Sequence, residues 1–139
     1  MSETVQSPAP AELGVAPSTS ARISAVDTLF MQHFNRGDAE GAARAVYTAD
    51  AVIGPPGSPM IQGRDNIASF WKGAQQQLGI EACDLVTVQL LPAGEFVHQL
   101  GRATLTLAGG QQTTGKYAVL WKEEGGEMKW HVDLWNMDA

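Results

Sequence analysis

The sequence predicts an α+β fold, with three helices ahead of a mainly antiparallel sheet. Two observations carry this. Apolar residues recur every three or four positions up to about residue 79, and every second position after it. The breaks "PAG", "AGG" and "EEGG" then divide the second half into four long strand candidates joined by hairpin turns. Because helices and strands are segregated along the chain, a parallel sheet built from alternating βαβ units is not expected.

The elements follow in order. Residues 1–17, rich in Pro, Ser, Ala and Thr without a period, read as a mobile tail, and residues 18–139 as one domain. Ile23, Val26, Phe30 and Phe34 make the apolar face of a first helix, with Ser18, Thr19 and Ser20 as N-cap candidates. "NRGD" ends it, and Asp38 caps a short second helix that runs to about Val46, with Tyr47 at its end. "DAVIG" reads as a short strand stopped by "PPG", and "MIQG" as another very short one. In "GRDNIASFWKGAQQQLG", Asp65 is the expected cap, Ile67, Phe70, Trp71, Ala74 and Leu78 the stripe, and Gly79 the stop.

The totals bound the function. The chain has 139 residues, 44% of them hydrophobic, which is enough for one domain with its own core. A net charge of −6 without any Lys/Arg run argues against a nucleic-acid partner. No apolar run approaches the roughly 20 residues of a membrane helix. The first residues lack the basic and apolar regions of a secretory signal, so a cytoplasmic protein is expected. The lone Cys83 excludes an internal disulfide and reads as a buried, inert thiol.

The closing stretch "KWHVDLWNMDA" poses the functional question. Strand alternation puts His131, Asp133 and Trp135 on one face and Trp130, Val132 and Leu134 on the other.

Four stretches, "FNRGDAEG", "YTADAVIGPPG", "IQGRDNIASFW" and "GKYAVLWK" with "WHVDLWN", together make the chain resemble the NTF2-like cone. That is the fold of ketosteroid isomerases and SnoaL-like polyketide cyclases. The resemblance implies a cystatin-like roll, a curved sheet wrapped against three helices around a cavity. The isomerase chemistry does not carry over with it. Its carboxylate base aligns with Pro55, and its two oxyanion donors align with Phe30 and Tyr117. The resemblance therefore implies a cavity for a small apolar ligand, without the ketosteroid isomerase catalytic set and without a cofactor.

In this alignment the His131–Asp133–Trp135 face points into the cavity. The preceding strand would contribute Tyr117, Val119 and Trp121, and the one before it His98, Leu100, Arg102 and Thr104. Asp133 is then the candidate base, with His131 and Tyr117 as donors, because an apolar pocket raises a carboxylate's proton affinity. The alternative is a structural Asp133 that pairs with Arg102 or with a backbone N–H. Trp135, Arg102, His98, Trp71, Phe70, Tyr47 and Phe30 are the candidate ligand-binding residues. His98 with "HVD" contains the ingredients of a two-histidine, one-carboxylate metal site, but the fold family is usually metal-free and no metal is expected. The function expected is proton transfer on a small apolar substrate, of the isomerase, cyclase, lyase or hydrolase kind. The alternative is a non-catalytic, dimeric ligand-binding module. A homodimer is expected through an outer sheet face carrying Val86, Val88, Leu105, Leu107 and Trp130.

Overall fold

The computed structural model of the chain describes Ala11, Glu12 and residues 14–139. The elements are β1 (Ala11–Glu12), α1 (Pro17–Asn35), α2 (Ala39–Val46), β2 (Tyr47–Gly54), β3 (Ile61–Gln62), α3 (Arg64–Leu78), β4 (Ile80–Ala93), β5 (Phe96–Leu107), β6 (Gln112–Glu124) and β7 (Glu127–Met137). The strands form one mixed sheet in the order β1-β4-β5-β6-β7-β2-β3. The hairpins β4-β5, β5-β6 and β6-β7 are antiparallel, whereas β2 runs parallel to β7 and β1 parallel to β4. The α+β roll read from the sequence is the fold observed.

Element ends differ in physical detail. Part of the expected tail, residues 1–10 and residue 13, lies outside the described residues. Within the same span Ala11–Glu12 pair with Gln89–Leu90, and Val15 joins the core. Helix α1 starts at Pro17, ahead of the three hydroxyl residues, and no side chain caps it. Proline suits that first turn because its missing N–H would have no intrahelical partner. Asp38 caps α2 as expected, accepting from the Gly41 N–H at 2.9 Å. Asp65 does not cap α3: Gly63 holds that position, and Asp65 pairs with Arg44 at 2.6 Å. Gly79 stops α3 in the left-handed conformation, at φ 64°. Leu78, assigned to the stripe, stands 63% exposed on the last turn.

The true inner face of α1 is Ile23, Asp27, Phe30 and Phe34, with Val26 on its flank. This stripe, the α3 residues Ile67 and Ala68, and the inward side chains of β4–β7 make the core. Aromatic rings dominate its centre. Phe30 lies 4.7 Å from Trp130 and 5.5 Å from Phe34, and Trp71 stacks on Trp135 at 5.1 Å with 17° between planes. Fully burying such rings contributes roughly 1.5–3 kcal/mol each, so the helices are held to the sheet mainly here.

Candidate functional site

The helices and the concave sheet face enclose a cavity. Its volume is about 60 Å³. Its wall is nearly all apolar: Phe30 and Phe34 from α1, Trp71 from α3, Trp130 and Trp135 from β7, and small or aliphatic residues such as Ala103 and Leu105 from β5. Asp133, Tyr117 and Lys116 break that surface, and the Lys116 ammonium pairs with Asp138.

Strand register brings Asp133 and Tyr117 together. Tyr117 pairs with Trp135 and Val119 with Asp133 across β6-β7. Tyr117 and Asp133 are therefore diagonal neighbours on one face, a spacing of roughly 7–8 Å between backbones. Opposite Tyr117 on β5 stands Gly101. A Cβ there would collide with the Tyr117 ring, so the glycine makes room for the ring to lie across the strand. The Tyr117 hydroxyl is buried without a hydrogen-bond partner among the described residues. Burial pushes its proton affinity well above the ordinary phenol value, so it stays an O–H donor.

Asp133 is held from behind. The Trp71 indole N–H donates to the Tyr47 hydroxyl oxygen at 3.1 Å, and the Tyr47 O–H donates to Asp133 Oδ2 at 2.5 Å. An indole nitrogen can only donate, so the Tyr47 proton is turned towards the carboxyl. Oδ1 receives no hydrogen bond from the described residues, so any proton that Asp133 carries sits on Oδ1. Desolvation raises its pKa to about 7, partly offset by the Tyr47 hydrogen bond, with repulsion from Asp27 adding to the rise.

A second buried carboxyl lies beneath the wall. The Trp130 indole N–H reaches Asp27 Oδ1 at 3.2 Å, and Gln99 Nε2 donates to Asp27 Oδ2 at 2.8 Å and to Thr87 Oγ1 at 2.8 Å. Trp121 donates to Gln99 Oε1 at 2.9 Å. Burial raises Asp27 to about 7 against these two stabilising hydrogen bonds.

Several sequence expectations are corrected by strand phase. Trp121 pairs with Trp130 and Leu120 with Val132, so His131 is an extra residue in β7. A bulge of one residue flips the alternation. Trp130 therefore turns into the cavity and His131 turns away from it. His131 Nδ1 instead lies 2.8 Å from Thr48 Oγ1, and the ring stacks with Phe96 at 6.4 Å. Strand β5 is in the opposite phase to that expected. Gly101 pairs with Tyr117 and Gln99 with Val119, which puts Val97, Gln99 and Gly101 inside, and His98, Leu100 and Arg102 outside. Arg102 therefore faces away from Asp133 and forms no ion pair with it, and His98, His131 and Asp133 do not converge.

The remaining candidates divide. Phe30, Trp71 and Trp135 line the cavity. Phe70 sits one layer out, 6.1 Å from Trp135. Tyr47, a candidate of the ligand-binding set, is fully buried and packs behind Asp133. Cys83 also reaches the wall, with its thiol pushed up to about 12 by burial, which keeps it inert. Asp27 and Gln99 were missed. The available signal for Asp27 was its place four residues after Ile23 and three before Phe30, a carboxylate on an apolar stripe.

A family model described as a SnoaL-like domain matches residues 28–131. No curated protein matches the sequence. Among solved structures, a domain of unknown function with a cystatin-like fold from Nostoc punctiforme superposes with a TM-score of 0.78 at 16% identity, covering 90% of this chain and 80% of that one. A ketosteroid isomerase-like protein from Erwinia carotovora atroseptica gives 0.73 at 19% identity, covering 89% and 99%. An NTF2-like protein of unknown function from Pseudomonas putida gives 0.73 at 16%, covering 88% and 89%. At these identities the structural likenesses establish the fold. Among the described residues no helix is long and apolar enough to cross a membrane.

Proposed function

The chain belongs to the SnoaL-like domain family, and from that premise we propose that its cavity binds a small, largely apolar molecule and exchanges a proton with it. The observation that carries this reading is the pairing of two free polar atoms in an aromatic chamber: Oδ1 of Asp133 and the unpartnered hydroxyl of Tyr117. Asp133 is the acid–base group. Its proton affinity near neutrality suits it to give or take a proton at physiological pH. Tyr117 donates to an oxygen of the ligand and stabilises negative charge developing there. The surrounding aromatic rings exclude water and orient the apolar body. His131, His98 and Arg102, which face away, have no part in this chemistry.

Native mass spectrometry of the chain purified from its own host tests the reading, with Ala103→Trp as the control whose indole fills the cavity. A small molecule retained by the natural chain and lost from the folded Ala103→Trp variant supports it. Equal retention by both places the ligand elsewhere and overturns it. A retained molecule that comes through unchanged, with no turnover of it or its oxygenated relatives, favours a binding module over an enzyme.

A further inference from the structure

Two carboxyl groups, Asp27 and Asp133, are buried in the core, and the proposed chemistry uses only one. Asp27 and Asp133 are linked through Trp130: its indole N–H is bonded to Asp27, and its ring meets Tyr47 edge to face at 5.2 Å, while Tyr47 holds Asp133. The hydrogen-bond directions around the two differ. Trp121 can only donate, so Gln99 must accept through Oε1 and turn its amide N–H groups to Asp27 and Thr87. Trp130 can only donate as well. Both oxygens of Asp27 therefore accept, from groups that cannot reverse. Among the described residues Asp133 accepts on Oδ2 alone, and its side chain reaches the cavity wall.

We propose that the pair shares one proton at neutral pH, that Asp133 holds it on Oδ1, and that Asp27 is the standing anion that keeps it there. Asp27 touches neither the cavity nor a ligand; it is a positioning residue that fixes the Trp130 wall and presents Asp133 as an acid. Like charges in one dry core cannot both form cheaply, and the cradle of fixed donors decides which group ionises first. Repulsion by Asp27 is among the causes that raise Asp133, in keeping with this order.

The titratable groups around the pair are Tyr47 from β2, Cys83 from β4 and Tyr117 from β6, all raised and neutral near pH 7. Asp84, also from β4, acts on Tyr117 and Cys83 from farther out. From α3 and β5 the near groups are Trp71 and Gln99, which do not titrate. Lys116 lines the cavity with its stem, but its ammonium pairs with Asp138 at 2.9 Å. Among the described residues no Lys, Arg or His hydrogen-bonds either carboxyl.

The proposal rests on reading Asp133 as the acid–base group of the cavity. Its test uses the ligand-free full chain, so a failed search for a ligand does not touch it, and a failed titration leaves the cavity's ligand open. The protein is labelled with aspartate carrying carbon-13 at Cγ, and its carboxyl resonances are followed between pH 4 and 9, with Asp133→Asn and Asp27→Asn to assign them. The resonance lost in Asp133→Asn is expected to titrate near 7, and that lost in Asp27→Asn to have the lower midpoint of the two. In Asp27→Asn the Asp133 midpoint should fall by about one unit, as expected on losing a nearby like charge. Because the amide introduced by Asp27→Asn turns its N–H groups against those of Gln99, a second variant, Asp27→Asn with Gln99→Glu, restores the hydrogen bonds and moves the anion to position 99. Its Asp133 midpoint should stay within a few tenths of the natural value. An unshifted Asp133 midpoint in Asp27→Asn, or an Asp27 resonance with the higher midpoint of the two in the natural chain, overturns the proposal.

Discussion

The Tyr47 hydroxyl donates to Asp133 Oδ2 at 2.5 Å from the side away from the cavity, and so leaves the other carboxyl oxygen without a hydrogen bond from the described residues. Tyr47 is wholly buried and receives the Trp71 N–H in turn. The relay turns a carboxyl that could rotate into one with an assigned face. The chemistry proposed for the site depends on this relay more than on any motif.

Tyr117→Phe separates ligand recognition from stability. The hydroxyl it removes is buried and unpartnered, so its loss relieves a desolvation cost of about 1–3 kcal/mol at most. The variant should melt at or slightly above the natural chain. Occupancy by the retained molecule should fall at least about tenfold, the loss of one hydrogen bond of about 1.4 kcal/mol. A variant that melts normally and keeps full occupancy removes Tyr117 from the site.

Gly101→Ala and Gly73→Ala should move stability in opposite directions. A methyl at 101 meets the Tyr117 ring, and overpacking of this kind costs about 1–3 kcal/mol. Gly73 lies inside α3 with nothing within 4 Å of an added Cβ, where alanine gains about 0.5–1 kcal/mol. Chemical denaturation of the pair measures both. Equal effects would mean that the Tyr117 ring does not lie over residue 101.

Stability should fall as pH rises from about 4 to 7. Asp27 and Asp133 have folded pKa values near 7 against an ordinary 3.8, so the folded state holds more protons through that window. By linkage the slope is negative there: the contribution is complete below the ordinary value and lost as pH passes the folded one. Asp38, Asp65 and Asp138 are lowered instead, and their smaller, exposed contributions are lost below pH 4. Thermal melts across pH 4–8 check this. A midpoint that climbs from pH 4 to 7 contradicts the buried pair.

We propose a two-fold dimer through the outer sheet face, on residues partly different from those first expected. Leu105 and Trp130 line the cavity and Leu107 packs on the core. The outer band carries Val86, Val88, Leu100 and Leu134, each close to 40% exposed. Leu100, Ala118 and Leu134 stand in one cross-strand row. Such a band on four adjacent strands suits an isologous contact with a second copy. Light scattering should give twice the chain mass at micromolar concentration, and Leu100→Lys with Leu134→Lys should halve it. A monomeric natural chain rejects the dimer.

The fold was legible because it rests on periods and breaks, which survive local irregularity. The change from spacing three and four to spacing two around Gly79, and the three glycine turns, placed nearly every element. The site was half legible for the same reason. Asp133, Trp135 and Tyr117 follow simple alternation, and they line the cavity as read. His131 and Trp130 exchanged faces because one bulged residue resets a strand, and no local signal marks it. In β5 the hydrophobic phase misled: inward Gln99 is polar and inward Gly101 has no side chain, while outward Leu100 is apolar. Gln99 is tolerated inside only because Asp27, Thr87 and Trp121 complete its hydrogen bonds. Those partners lie 72, 12 and 22 residues away in sequence, beyond any pattern in a window.

On the proposed reading, Asp133 is a desolvated cavity group and not one half of a structural ion pair. Thermal midpoints of the natural chain and Asp133→Asn, compared at pH 5 and pH 8, test it most directly. The asparagine carbonyl still accepts from Tyr47 and the titrating charge is gone. At pH 8 the variant should melt at or above the natural chain, by about 3–4 °C for each kcal/mol of desolvation relieved. At pH 5, where Asp133 is already neutral, that advantage should vanish. A variant that melts several degrees below the natural chain at pH 8 would show that the carboxylate holds the fold together through a cationic partner, and the account of the site would be wrong.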